Sequence, residues 1–583
     1  MGYAWRQDKQ IMIRNTLLAV IILIVSSCNP TDTRQVNAQA VPASIIFVGE
    51  NIVTVDDTLP NVEAVAVRGE EIVAVGDELD VMALRGDETR VVRLGDRALV
   101  PGFIDAHGHL AVVARLIDYV NLSSPPVGPV DDMDELVSLV SEHIASSNLE
   151  TGEWVYGYGY DDSLIAENRH PTRDDLDRVS TEHPIALLHV SGHFVAVNSA
   201  ALTAKRFDSS TTDPTGGVIR RRPGTREPNG VMEETAAYPF FLEQFQDVDP
   251  ARLERMIRIA LDLYTSFGIT TIQDGGANLA DVSMFQDASA RQAFPVDVVA
   301  FPMANVLDDA TIDSIPIRRK YLGGFRVGGI KFVLDGSPQG RTAYLSRPYT
   351  EGPPGASVDY RAYPTYSADE YDRRILRLIR NGTPVLVHAN GDAAIDMMIA
   401  GVENAVDGIQ MPDHRTVIIH AQLTREDQLG RIKKLGLVPS YFSAHPFFWG
   451  DWHRKIFGEE RAAFISPLSS SAKLGIPFTI HNDAPIVPPD IMRLLEITVN
   501  RKTRSGFVLG PDQRATPMQA LRAVTLSAAY QYFEEDWKGS ITPGKRADLV
   551  VLGANPLTVD HDTIKDIQII ETFARGQSVY RKE

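Results

Sequence analysis

Val100-Pro101-Gly102-Phe103-Ile104-Asp105-Ala106-His107-Gly108-His109 is a short apolar run that ends on two histidines one residue apart. Along an extended strand the side chains alternate between faces, so residues i and i+2 share a side. A His-x-His pair at a strand end therefore aims two imidazoles at one point, where a metal ion can sit. The pair has company: Lys331, His388, His420 and Asp483 each lie in or close a similar apolar run further along.

Working outward from this run, eight strand-like stretches alternate with helical ones: 99–106, 269–274, 296–301, 329–335, 384–389, 416–421, 437–442 and 477–483. That alternation is the pattern of a parallel α/β sheet, and eight such strands make a (β/α)8 TIM-like barrel. The long interval between the first two predicts an insertion over about 111–249. It holds two β-like runs, 154–160 and 185–190, and a Pro/Gly-rich portion, 213–230, read as a lid or wall over the barrel mouth. The chain ends, 43–98 and 538–583, carry short β-rich runs broken by turn residues. Neither is long enough for its own core, which predicts one composite N-/C-terminal β-sandwich domain, with 99–537 left to the barrel.

The chain has 583 residues, with 57 basic against 76 acidic and a formal charge of -19. Nucleic acid and anionic membrane surfaces need basic patches, so the balance argues against both as partners. Cys28 is the only cysteine, which excludes an intramolecular disulfide and any multi-thiolate metal site. Arg6, Lys9 and Arg14 precede an apolar stretch over 16–25, followed by Ser26, Ser27 and Cys28. A basic region, a short apolar region and small residues read as an export signal over 1–28. Val25-Ser26-Ser27-Cys28 resembles a bacterial lipobox, so Cys28 is the expected lipidation site and 29–42 a tether. Asn29 stands where an Asp would suggest inner-membrane retention, which favours the outer membrane, facing the periplasm. A plain signal peptide or a single-pass anchor is the alternative.

The suspected ligands fall on or near the C-terminal ends of the first, fourth, fifth, sixth and eighth predicted strands, the face that carries the active site in such barrels. Imidazoles and a carboxylate without thiolates suit Zn²⁺, Mn²⁺ or Fe²⁺, with zinc first for hydrolytic chemistry.

Seven stretches carry a family resemblance: VPGFIDAHGH (100–109), GITTIQDGG (268–276), IKFVLDGSPQGRTAYL (330–345), VHANGDAAID (387–396), IIHAQ (418–422), HNDAP (481–485) and GSITPGKRADLVVL (539–552). With them the chain resembles the amidohydrolase superfamily, in the branch called amidohydrolase family 3, the N-substituted formamide deformylase-like proteins. Asn390 and the pair His481-Asn482 depart from the commoner patterns, leaving the ligands in place and bearing on the substrate. The resemblance implies a carboxylated Lys331 bridging two metals, with His107, His109 and Asp483 on one ion and His388 and His420 on the other. It also makes His193, in His189-Val190-Ser191-Gly192-His193, a catalytic or substrate contact. Arg341 is a candidate clamp for an anionic group. Trp449, in the aromatic stretch 444–453, is a candidate wall of an apolar pocket. His170, His183 and His414 read as surface histidines.

The expected function is metal-dependent hydrolysis of non-peptide C–N bonds in small N-acyl or N-formyl amides or cyclic amides. Metal-activated hydroxide attacks, and Asp483 serves as general base and then acid. The alternatives are a lactone or ester hydrolase on the same site, or an inactive solute-binding lipoprotein. The expected partners are a small-molecule amide and the membrane through the lipid anchor, and a homodimer is compatible with the chain.

Overall fold

The computed structural model describes residues 41–583 apart from 148, 193, 215–216, 242–248 and 354. The export segment with Cys28, the tether up to residue 40, and His193 lie outside the described residues.

Two arcs of parallel strands form the centre. The first runs Phe103–Ile104, Ile269–Ala277, Asp297–Pro302, Phe325–Val327. The second runs Ile330–Val333, Val385–Ala389, Val417–His420, Val438–Tyr441, Thr479–Ile480. Spatial order follows chain order, as successive strand–helix–strand units produce. On one side the arcs meet through an isolated bridge between Met303 and Lys331. On the other, the Asp483 N–H donates to His107 O at 3.2 Å and the His109 N–H to Ala484 O at 2.8 Å. Among the described residues no continuous ladder closes the ring, so the backbone makes two linked arcs where the strand count predicts a closed barrel.

Both faces of the arcs are buried, which is why their strands read as unbroken apolar runs. Val299, Phe301, Leu386, Val417, Ile419 and Val438 share one cluster with Ala528, Ala529 and Tyr532. Their alternates Val298, Ala300, Val385, Val387 and Ile418 pack in another with the apolar stripes of the helices Ala368–Arg380 and Asp392–Val406.

Two of the predicted strands depart from their expected form. The first splits at Gly102: Ala98–Pro101 pairs antiparallel with Leu549–Leu552, and Phe103–Ile104 joins the first arc. A Cβ on Gly102 would lie 2.6 Å from Thr270 Oγ1, so the crossing needs a bare backbone. The fourth, predicted over 329–335, forms Ile330–Val333 on the second arc, while Phe325–Val327, a short strand outside the predicted eight, lies just before Gly328-Gly329 and belongs to the first arc.

The chain ends form two four-stranded sheets. One contains Ile45–Val48, Ala64–Arg68, Glu71–Gly76 and Arg90–Arg93; the other contains Ala98–Pro101, Leu549–Leu552, Ile569–Ala574 and Gln577–Arg581. Phe47, Val65, Leu99, Leu549 and Phe573 belong to one shared apolar cluster. Arg90 adds a two-pronged hydrogen bond to the buried Glu571, at 3.1 and 2.8 Å.

The insertion is more regular than its sequence announces. The two expected strands, Val155–Tyr160 and Ile185–His189, lie inside a six-stranded sheet with Val120–Asn121, Phe194–Val197, Gly217–Arg221 and Pro228–Glu234. The 213–230 portion supplies its edge hairpin. No helix among the described residues is long and apolar enough to cross a membrane.

Candidate metal centre and active site

Parallel strands end at the same side of their sheets, so residues at strand ends meet even when hundreds of positions separate them. Here His107, His420 and Asp483, all buried, bring one ligand-type atom each to within 4.8 Å of the other two. Asp483 Oδ1 lies 3.2 Å from His109 Nε2 and 3.5 Å from His107 Nε2, and its Oδ2 lies 4.0 Å from His420 Nε2. Lys331 Nζ is 3.1 Å from His107 Nε2. The His388 ring stands 4.5 Å from that of His420, centroid to centroid, while Asn390 Nδ2 sits 3.1 Å from His388 Nε2. The structure thus gathers all six expected ligands, with His388 nearest Asn390. This donor set, imidazoles and a carboxylate with no thiolate, suits a divalent transition ion.

Backbone strain helps place two of them. Val417 and Ile419 face one cluster and Ile418 the other, so continued alternation would send His420 away from the site. His420 instead takes a left-handed backbone, φ 72°, and Asp483 does the same at φ 58°. Such conformations cost of order 1–3 kcal/mol each and cluster at functional sites.

Burial holds the His107 and His420 imidazoles well below their usual pKa, so both stay neutral and able to ligate. Burial alone would raise Asp483. The hydrogen bond from His109 leads the effects that outweigh it and hold the carboxyl below its ordinary range, so the carboxylate stays ionised. Burial pushes the Lys331 ammonium down to about 7.

Three supporting residues escaped the sequence reading. Gln273 Oε1 meets His107 Nδ1 at 2.5 Å, while its Nε2 donates to Ala106 O and to the Tyr532 hydroxyl. Accepting the Nδ1 proton leaves His107 Nε2 free. His481, noticed only as a departure, contacts His420 Nδ1 through Nε2 at 3.1 Å and Ser440 Oγ through Nδ1 at 2.9 Å. A proton on each Nδ1 makes this a chain from His420 to Ser440 that frees His420 Nε2. Asp335, fully buried, accepts the backbone N–H groups of Asn390 and Gly391 and lies 3.3 Å from His388 Nδ1. All three lie within the quoted family stretches, yet nothing local marks their role, because each is defined by a partner on another segment.

A cavity of about 790 Å³ opens beside His109, lined by Leu116, Tyr158, Leu188, Met303 and Ile486 among others. Arg341 and Trp449 line a different one, of about 610 Å³, and His189 borders both. The Arg341 guanidinium pairs with Glu351 at 3.2 Å and lies over the Trp452 ring. Trp449 is buried and donates its indole N–H to Asp161 at 3.2 Å. The surface reading of His170 and His414 is overturned: both are buried, His170 against the Tyr160 hydroxyl and His414 against Thr416.

The family model described as the amidohydrolase family matches residues 90–580. The chain belongs to the amidohydrolase family. Membership and the His/Asp cluster together make it a metal-dependent hydrolase. It is 28% identical to N-substituted formamide deformylase of Arthrobacter pascens over 92% of this chain and 98% of that one. It is 27% identical to Protein LONG AFTER FAR-RED 3 of Arabidopsis thaliana, over 92% of each. Among solved structures, an uncharacterized metal-dependent hydrolase of Pyrococcus furiosus superposes with a TM-score of 0.67 at 24% identity, covering 88% of this chain and 100% of that one. Another, of Pyrococcus horikoshii OT3, gives 0.69 at 21%, covering 89% and 99%. These two likenesses bear on the fold, which is that of an amidohydrolase.

Proposed function

We propose that this amidohydrolase cleaves non-peptide C–N bonds in small N-acyl or N-formyl amides or cyclic amides. The observation that carries the reading is the convergence of buried His107, His420 and Asp483 on one point, with Lys331 at its edge. In this reading the two arcs act as one (β/α)8 barrel, with the end sheets as its composite partner domain. His107, His109, Lys331, His388, His420 and Asp483 hold one or two divalent ions, zinc first.

A bound divalent ion lowers the pKa of water to near 7 and polarises a carbonyl oxygen. The remaining work belongs to side chains. With its pKa near 7, Lys331 is substantially neutral at physiological pH. Its lone pair can add to CO₂: an N–C bond forms, one N–H proton leaves to solvent, and the product carbamate is an anion. An anion is tolerated beside a dication where an ammonium would be repelled. Asp483 takes the proton of the attacking water and delivers it to the departing nitrogen, since an amide nitrogen leaves poorly unless protonated. His193 meets the substrate carbonyl, and Arg341 and Trp449 hold its distal part. The relative that acts on N-substituted formamides supports this choice of bond.

Asp483→Asn is expected to lower turnover of an N-formyl or N-acyl amine by about 10²–10⁴-fold. Circular dichroism should stay unchanged, and wild-type turnover in that variant would remove Asp483 as the base. A substrate panel in which lactones react and no amide does would overturn the C–N assignment. For localisation, the reading is an exported lipoprotein of the outer membrane, supported by the basic and apolar residues before Cys28. Cys28→Ala should shift the protein from the membrane to the soluble fraction, whereas continued membrane association would point to an uncleaved anchor.

A further inference from the structure

A second group of ligand-type side chains lies in the inserted sheet, away from the cluster above. Asp162 and His170 follow the strand Val155–Tyr160, and His189 ends its parallel neighbour Ile185–His189. One ligand-type atom from each lies within 4.8 Å of the other two. His189 Nε2 is 3.0 Å from Asp162 Oδ1, and His170 Nε2 is 3.6 Å from Asp162 Oδ2.

A simple ion-paired carboxylate accounts for only half of this. At 3.6 Å, His170 is beyond hydrogen-bonding distance, yet its ring nitrogen is held facing the carboxylate. Two ligands of a tetrahedral ion with bonds of ~2.0–2.1 Å stand about 3.3 Å apart, and the separations of 3.0 and 3.6 Å, each to a different oxygen of Asp162, lie on either side of that spacing. The outer nitrogens are tied as those of ligating imidazoles are. His170 Nδ1 lies 3.1 Å from the Tyr160 hydroxyl, and His189 Nδ1 lies 2.8 Å from Ser191 Oγ. Both imidazoles are buried, with side-chain exposures of 8% and 6%, whereas Asp162 at 34% opens onto the 610 Å³ cavity. Arg220, whose positive charge reaches Asp162, is itself engaged by Glu233 at 2.5 Å.

The geometry points to a further divalent-cation site of zinc type, held by Asp162, His170 and His189, with its fourth position open to that cavity. Sites with three protein ligands and one open position are the reactive kind, since an exchangeable group can enter. Loading moves one proton within His189. Its Nε2–H now faces Asp162; in the loaded site Nε2 gives its lone pair to the ion, and the proton sits on Nδ1, where Ser191 Oγ accepts it. The Ser191 amide N–H, now 3.1 Å from Nδ1, turns aside.

The test is a zinc count by elemental analysis on the full chain, stripped with a chelator and re-equilibrated with Zn²⁺. The double variant His170→Gln/His189→Gln should carry one zinc per chain fewer than the parent. Asp162→Asn, at a partly exposed position, should hold the same ion about tenfold or more weakly in competition with a chelating dye. Should the double variant fail to fold by circular dichroism, the Asp162→Asn titration decides alone. Equal zinc content and equal affinity in the variants would overturn the site.

Discussion

At the scale of single residues, Gln273 shows how much of a metal centre lies behind its ligands. It is fully buried, and its amide joins His107 to the backbone of Ala106 and to Tyr532. Gln273→Leu keeps most of the volume and removes the acceptor that sets the His107 tautomer. Its expected effect is a 10–100-fold loss of metal affinity, the usual scale for partners of ligating histidines. A competition titration checks this, and unchanged affinity would mean that His107 is oriented by packing alone. The candidate ligands are legible in the sequence, because each lies in or closes an apolar run. Gln273, His481 and Asp335 are not, because a hydrogen bond across 166 positions, as between His107 and Gln273, leaves no local pattern.

At the scale of elements, the passage from the first arc to the second at Gly328-Gly329 places Lys331. A Cβ on Gly329 would lie 2.2 Å from the Pro384 carbonyl oxygen, which accepts the Ile330 N–H at 3.0 Å. Gly329→Ala must push the two strands apart and should cost about 1–3 kcal/mol, the scale of overpacking. Chemical denaturation would read this as a lower midpoint with an unchanged slope, and a wild-type midpoint would show that the strand edge yields freely. The periodicity of 2 announces the strands but cannot announce where a strand changes partner. The same limit divides the predicted first strand at Gly102. It also conceals the left-handed turn that brings His420 into the site.

At the scale of the whole molecule, buried titratable groups couple stability to pH. Burial lowers His107, His420 and His445 well below 6.5, and His170, His453 and His481 to about 3. As pH falls below 6.5 the unfolded chain takes up these protons and the native metal-free chain does not, so stability drops. Burial raises Asp105 to about 7 and Asp274 to about 6. Those carboxyls act with the opposite sign, binding protons in the native state first as pH falls from about 7 toward 3.8. Each fully differential group changes stability by about 1.4 kcal/mol per pH unit, and the six imidazoles outnumber the two carboxyls. The chelator-stripped protein should therefore lose stability steeply between pH 6.5 and 5, whereas the metal-loaded protein should resist to lower pH because metal competes with protons for the same nitrogens. Melting curves across that range test it; a flat profile in the stripped protein would mean that these imidazoles are not held neutral.

The sequence by itself determined the alternating strands and helices, the family, and the residues with ligand chemistry, because periodicity and short motifs are local properties of a chain. Tertiary structure alone decided that the arcs link without a closed ladder among the described residues, that the insertion holds a six-stranded sheet, and which amides and hydroxyls orient the candidate ligands. Those outcomes depend on contacts between distant segments, where a single backbone approach or left-handed residue redirects a strand that looks uniform in one dimension.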